Sequence, residues 1–522
     1  MAEDGYSDMK DRFPVSLKNP HYGGISAFVF GLAVHFFALV NITHNYDSIA
    51  TPSGYGAGVT SGRWFLEILG KITSKLLVGS YNLTWFNGIV FLLLIAAAVY
   101  FLVSVLEIRS RLLAVVTGMA FVSFPTAASM LFFRFTATYY AIALLFAVLA
   151  AWVLKNWKYG LIPSVLLTAC GLGIYQAYMP ITVAVFVLVL LRQTLSGEEK
   201  IRTLFVRGVY YCASIVLGLL AYFAAMKLAL AMAGTQLDTY QGMDQMGKLN
   251  LAQLPGMVVN TFLSFFTAPR SRYDIVQNTL MELLYGLALT GSGAMILYIL
   301  AARIRKAQWV LFAAFLCIAF PVAVNLIMIM SADSFIYTLM LYPFAMVLVL
   351  PLVVLDVLLE KPLKPECLGK WCRKAVVLVV AALIFCNTYF TNLNYQMQYY
   401  TTRQTENYMT GLITQVRMAE GFCPEKKWAF LGNIQDPLLD SYWSELSEHF
   451  GYGGNADISR LFQSYSWKSW IDSYVGYNIP AAGEEELAAI WQWEEVGSMP
   501  CWPSAGSIRV IDEYVVIKFQ EP

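Results

Sequence analysis

The sequence predicts a mainly α, polytopic membrane protein with a small α/β domain at its C-terminal end. Three observations carry this. Of 522 residues, 58% are hydrophobic and only 13% charged, against about 25% charged in soluble domains; the mean hydropathy is +0.58. Apolar stretches long enough to cross a bilayer recur along the chain. After residue 392 the pattern changes to a polar, Tyr- and Gln-rich helix followed by short alternating strands. The net charge of +1 gives no argument for a nucleic-acid partner.

The first 24 residues are polar and lack a signal peptide's apolar core, so they are expected to be a cytoplasmic tail and the first span to direct insertion. A transmembrane domain over 25–392 then holds about 11 transmembrane helices, at 25–43, 85–106, 112–131, 137–154, 161–175, 178–192, 209–233, 279–302, 308–330, 335–359 and 375–392. The fifth and sixth are short and joined by a turn at GIYQAYMP; a re-entrant pair is the alternative there. With the N-terminus inside, nineteen Lys and Arg fall on inside segments and seven on outside loops. That bias orients the chain, and an odd number of spans places the tail, 393–522, outside.

Two outer loops are long, 44–84 and 234–278. The first begins HNYDSIATPSGYGAGVTSGRWF, an isolated acid followed by alternating glycines and Ser-Gly-Arg-Trp. Over 61–77, Arg63, Glu67, Lys71 and Lys75 recur at steps of four among apolar residues. This is an interfacial helix with one polar stripe, too short and charged to span. The tail is expected to form a strand at KKWAFLG, helices near 437–450, 457–474 and 483–492, and a hairpin at IRVIDEYVVIKF turning at Asp512-Glu513. Of eight cysteines, Cys170, Cys212, Cys317 and Cys386 lie in apolar runs as packing residues. Cys367 and Cys372 lack zinc-site spacing, and Cys423 and Cys501 share the outer tail, where a disulfide between them is a hypothesis.

Charged residues at the membrane face are the candidates for chemistry. Asp47 closely follows the first span, where a carboxylate is costly unless solvated or paired; it is a loop acid, a helix cap or a base. Arg63 fits either an i,i+4 pair with Glu67 or a phosphate contact. Arg134, in the short outer turn MLFFRFTATYY, opposes the inside bias, as a phosphate contact or a headgroup anchor. Arg270 and Arg272, in APRSRYDIV, carry the same two alternatives. Lys227 reads best as snorkelling. Tyr175 and Gln176 line a cavity or satisfy broken backbone at their turn. In the tail, Trp443, Trp467, Trp470, Tyr474 and Tyr477 form either an aromatic core or a stacking surface for sugars.

Several signatures are absent from the sequence. His21, His35, His44 and His449 make no paired metal spacing, and there is no G-x-S-x-G. GMDQMGKL, from Gly242, mimics a P-loop but lacks its Ser or Thr and follows no buried strand. No nucleotide-sugar Rossmann unit exists, so a sugar transferase of this kind would need a lipid to bring the sugar.

The first-loop stretch, together with FPTAASMLFFRFTATYYAIALLFAVLAA and GLGIYQAYMPITVAVFVLVLLR, resembles the Gtr type II-like glucosyltransferases, multi-spanning bacterial enzymes of the GT-C superfamily. The resemblance covers about residues 25–390. It implies a GT-C-like bundle in the cell membrane. It also implies a glucosyl donor on polyprenyl phosphate and transfer to a cell-surface glycan at the outer face, with membrane lipids around the site. A donor flippase and a donor synthase would be partners. Asp47 would be the general base. Arg63, Arg134, Arg270 and Arg272 would hold the donor phosphate. His44, Tyr46, Trp64, Tyr175 and Gln176 would contact substrate. Family members often carry two adjacent acids where this chain has Tyr46-Asp47-Ser48, so a metal site is not indicated; no cofactor is required, although a divalent cation is compatible. Competing classes are a lipid-linked-sugar transporter or flippase, a GT-C transferase using another sugar, and a scaffold for the tail. The transporter predicts mid-membrane charges and internal repeats, which the sequence does not display.

Overall fold

The computed structural model describes residues 18–521 except 51–53, 78–80, 240–251, 305, 332–334, 362–365, 440–441, 456–460 and 463–464. Most of the N-terminal tail, the Gly242 P-loop mimic, and Lys10, Arg12, Lys248, Arg305 and Lys364 of the charge count lie outside the described residues.

Apolar segments in lipid must close their backbone hydrogen bonds internally, and these do so as helices. In order they are α1 (Asn19–Val40), α2 (Tyr46–Ala50), α3 (Trp64–Leu76), α4 (Thr84–Val105), α5 (Arg111–Val122), α6 (Pro125–Phe132), α7 (Arg134–Asn156), α8 (Leu161–Leu172), α9 (Met179–Ser196), α10 (Ile201–Ala233), α11 (Leu254–Ser271), α12 (Thr279–Ile299), α13 (Ala307–Val324), α14 (Ile327–Met330), α15 (Met346–Leu359), α16 (Glu366–Arg417) and α17 (Tyr442–Phe450).

Among the described residues nine helices are long and apolar enough to span, and a tenth span forms if α5 and α6 count as one. The expected eleven is corrected at α8, whose 12 residues reach only about 18 Å at ~1.5 Å per residue. The chain nevertheless returns across the bundle there. Tyr175, just past α8, stacks on Tyr140 near the start of α7, with centroids 4.3 Å apart. Proline sets the other departures. Phe124 is extended ahead of Pro125, which bends α5 from α6 by 40°. Pro343 leaves 338–345 as 3-10 turns, so the expected 335–359 helix begins late. Pro321 lies near the end of α13, and α14 continues as a separate turn. Nearly all residues of the segment Tyr342–Leu359 are buried and it forms the bundle's centre; few residues of α10 are buried and it forms the rim.

α16 runs 52 residues, about 78 Å at ~1.5 Å per residue. That exceeds twice the ~30 Å hydrocarbon core, so its second half stands clear of the lipid and carries the C-terminal unit. There β1 (Lys427–Leu431), β2 (Ile508–Ile511) and β3 (Tyr514–Lys518) form a sheet in the order β1-β3-β2. β1 runs parallel to β3, and β2 pairs antiparallel with β3, Val510 opposite Val515. The hairpin, the strand and the polar helix stand where the sequence places them. Trp467 and Trp470 are buried in this unit's core, whereas Tyr477 is exposed. Cys423 and Cys501 are free thiols, facing Glu425 and Glu521 respectively, so the hypothesised disulfide is not formed.

At one end of the bundle, Asp356 near the end of α15 accepts the backbone N–H of Arg109 at 2.9 Å and of Ser110 at 3.0 Å, and Arg192 Nη1 at 3.0 Å. Arg192 reaches Glu360 with its other Nη at 2.6 Å. Each partner of the Arg192–Asp356 pair is less than 5% exposed. Removing one partner of such a pair strands the other charge. Asp356→Ala is therefore expected to destabilise the bundle by about 3–5 kcal/mol, read as a lowered melting temperature in detergent; an unchanged melt would show that the pair does not hold this end.

Candidate functional site

The opposite end of the bundle holds the candidate residues. α1 ends at Val40, and the chain leaving it is gripped by Arg134. This arginine, 3% exposed, donates to Asn41 O (3.2 Å), Thr43 Oγ1 (2.9 Å) and Thr84 Oγ1 (3.1 Å). It thereby joins the ends of α1, α4 and α7, and among the described residues no carboxylate pairs with it.

Beyond this clamp, local polar contacts wind α2. The Asn45 N–H donates to Ser48 Oγ at 2.9 Å, and that hydroxyl donates back to Asn45 O at 2.8 Å. The Asn45 side-chain oxygen accepts the Asp47 N–H at 2.9 Å, as an N-cap residue does. Asp47 is thus the first acid of a short helix, with its carboxyl half-buried. Burial raises its pKa to about 6, against the opposing pull of the Arg63 charge.

Arg63 arrives from the other side. Residues Val59–Ser61 make a 3-10 turn, and Gly62 follows with φ 71°. The Gln176 side chain holds this turn by donating to Ser61 O at 3.1 Å, while Tyr222 OH donates to Gly62 O at 3.2 Å. The N–H groups of Phe65 and Leu66 both reach Gly173 O, at 2.8 and 3.0 Å. Arg63 is therefore fixed against the 173–178 turn. Its Nη1 donates to Tyr140 OH at 3.2 Å, and its Cζ lies 5.1 Å from the Tyr175 ring centroid, a cation–π arrangement. Its Nε is buried with no hydrogen-bond partner. Of the two alternatives for Arg63, the i,i+4 pair with Glu67 does not form; Glu67 binds Lys71 at 2.8 Å and the Val59 N–H at 3.1 Å.

His44 is buried with both ring nitrogens unpartnered, its ring centroid 4.0 Å from that of Tyr474. Burial, then the charges of Arg134 and Arg403, lower its pKa to about 4, so it is a neutral imidazole near pH 7. Tyr46 meets Phe133 edge-on at 5.8 Å. Trp64 packs on Phe65, with its indole N–H buried and unpartnered. The structure thus gathers His44, Tyr46, Asp47, Arg63, Trp64, Tyr175 and Gln176 at one end of the bundle, hereafter the mouth. It does not bring in Arg270, which is paired with Glu282 of α12, or Arg272, which is exposed at the end of α11. The charge acting on Asp47 is that of Arg63.

Sequence reasoning missed Asn45, Tyr140, Tyr222 and Gly454. Tyr140 stands in the singled-out FTATYY, and Asn45 precedes the acid by two residues; only their partners, remote in sequence, reveal them. Among the described residues, no group of three or more His, Cys, Asp or Glu is placed to hold a metal.

A helical membrane bundle with an acid, an arginine and tyrosines converging on one mouth has the make-up of a membrane-embedded transferase. The chain belongs to the glucosyl transferase GtrII family, whose model matches residues 36–355. No curated protein and no solved structure matches it. Membership makes the activity glycosyl transfer, and the matched stretch contains every residue of the mouth up to α15.

Gly62 tests the geometry. A Cβ there would lie 2.7 Å from Tyr222 OH, on a backbone with φ 71°. Gly62→Ala is expected to shift Arg63 and to lower transfer by about tenfold to a hundredfold, the scale of a 1 Å misplacement. Wild-type turnover in that variant would mean that the turn does not set the arginine.

Proposed function

We propose that the protein transfers a glucosyl (hexosyl) residue from a polyprenyl-phosphate donor to a cell-surface glycan, at the extracytoplasmic face of the cell membrane, with inversion. The observation that carries this reading is a half-buried carboxyl, its pKa raised to about 6, within electrostatic reach of an arginine held on tyrosines at one end of a lipid-embedded bundle. Asp47 accepts the proton of the acceptor hydroxyl as its oxygen attacks the anomeric carbon. The bond from that carbon to the phosphate oxygen breaks, and the lipid phosphate leaves with the electron pair. Arg63 meets the growing phosphate charge, which a preorganised cation stabilises. One carboxylate suffices, because phosphate departs without an acid, and this favours direct displacement. Tyr46 and Trp64 offer ring faces, Tyr175 holds Arg63, and the neutral His44 offers a hydrogen bond to sugar hydroxyls. Gln176 and Arg134 act by holding the loops in place.

The proposed sidedness rests on Arg109, Lys155, Lys158 and Arg192, which cluster at the end opposite Asp47. The division into a cytoplasmic tail (1–24), a GT-C-like transmembrane domain (25–392) and an extracytoplasmic unit (393–522) belongs to the same proposal, as do a donor synthase and flippase as partners.

The test is transfer of radiolabelled polyprenyl-phosphate glucose to envelope glycan by protein in lipid. Asp47→Asn is expected to lose about 10²- to 10⁴-fold while still binding donor; full activity would overturn the base assignment. The base must be ionised, and its pKa is raised, so the rate should fall as pH drops through about 6. A limb near the usual carboxylate pKa of about 4 would show that Asp47 is not the titrating group. Transfer from another lipid-linked sugar alone would correct the donor.

A further inference from the structure

The C-terminal unit reaches into the mouth through Gly451-Tyr452-Gly453-Gly454-Asn455. The Tyr452 N–H donates to Asn394 Oδ1 at 2.6 Å, and the Gly453 N–H to Thr338 Oγ1 at 2.9 Å. Ser129 Oγ of α6 donates to Gly453 O. Gly454 has φ 101°, and a Cβ on it would lie 2.7 Å from the Phe133 ring, so only glycine seats this loop so close. The Gly454 carbonyl then accepts Asn45 Nδ2 at 2.7 Å. The same Asn45 side chain accepts the Asp47 N–H through its oxygen. On the other face of α2, fully buried Ile49 is built into the C-terminal unit's core, with Met409, Leu412, Trp467 and Trp470.

We propose that Asn45 is a positioning residue through which the C-terminal unit sets the placement of Asp47. The inference rests on the reading of Asp47 as the base. Its amide is a two-ended bridge: one end reads whether the 451–455 loop is seated, and the other fixes the first turn of α2. The tail therefore packs directly on the segment that carries Asp47 and is not a detachable acceptor-binding module. A side chain can act this way only if both of its ends are occupied, and both are: the bond to Gly454 O is buried at 2.7 Å and the bond from the Asp47 N–H is part-buried at 2.9 Å. The charged group facing Asp47 is Arg63, from the α3 side; Arg134 and Arg403 face His44. Loosening α2 would admit water to the carboxyl without changing its charged neighbour.

The experiment compares wild type, Asn45→Ala, Gly454→Ala, Ile49→Val and Asp47→Asn as full-length protein in lipid. Polyprenyl-phosphate glucose is the donor, and gel filtration and melting curves confirm folding. Asn45→Ala and Gly454→Ala are each expected to lower kcat by about tenfold to a hundredfold with the donor KM little changed. The pH limb should move from about 6 toward the ordinary carboxylate value, while Ile49→Val stays near wild type. A merely structural role would lower the amount of folded protein and leave that limb in place. Wild-type kcat and pH limb in Asn45→Ala and Gly454→Ala, with Asp47→Asn inactive, would overturn the inference alone. Activity retained in Asp47→Asn would overturn the underlying reading. Should Asn45→Ala not fold, Gly454→Ala decides by the same two readouts, since it breaks the bridge from the other side.

Discussion

A carboxylate drawn out of water beside a membrane is costly unless it is solvated, paired or neutralised, and the arrangement at the mouth follows from placing a positive charge within reach of Asp47. Its counter-charge comes from the same loop, sixteen residues on. The loop must therefore turn back on itself and stay there. Gly62 supplies the left-handed turn, Gln176 and Tyr222 hold its carbonyls, and Gly173 receives the first N–H groups of α3. Arg63 is in turn fixed by Tyr140 and Tyr175, which belong to α7 and to the turn before α9. Membrane helices far apart in sequence thus set the position of one guanidinium.

The two ends of the bundle show how Asp47 and Arg63 differ from a structural ion pair. Asp356 is saturated, with two backbone N–H groups and one guanidinium on its oxygens, and both Nη of Arg192 reach carboxylates. Such a network locks helices together and leaves nothing to offer a ligand. At the mouth, Arg63 has a phenol and a ring face for neighbours and an unpartnered Nε, and among the described residues no hydrogen bond reaches the Asp47 carboxylate oxygens. Unsatisfied groups in a half-buried place cost stability. They are kept where a ligand supplies the missing partners, and hence such groups mark functional sites.

Much of the bundle was legible because membrane spans announce themselves by length and apolarity. Most spans lie near their expected places, apart from shifts at Pro125, Pro321 and Pro343, the shortened α8 and the early starts of α10 and α16; α11 is a helix inside what the sequence offered only as the outer loop 234–278. The acid and the loop arginine were legible too, as charges where lipid makes charges expensive. What the sequence could not disclose is which side chains close the loop. Arg134, Arg270 and Arg272 look alike in sequence, each a lone cation at a membrane face. Yet the first is buried on neutral oxygens, the second is paired with Glu282, and the third is exposed. Only tertiary partners separate them. Likewise GYGGN at 451–455 reads as a plain turn until Phe133 and Asn45 are found beside it.

Arg134 shows how the mouth keeps its chemistry separate from its scaffold. A guanidinium buried without a carboxylate still needs its donors satisfied, and it finds them in the carbonyl that ends α1 and in two threonine hydroxyls. Helix C-terminal carbonyls lack intrahelical partners and carry partial negative charge, so a cation there is favoured without any acid. That choice holds three helices together and leaves Asp47 under the charge of Arg63. An acid at Thr43 would have been the simpler partner for Arg134. It would also have placed a second negative charge four residues from Asp47. The neutral clamp avoids that repulsion, and the lowered pKa of His44 has the same consequence from the other side: the positive charge at the mouth stays where Arg63 holds it.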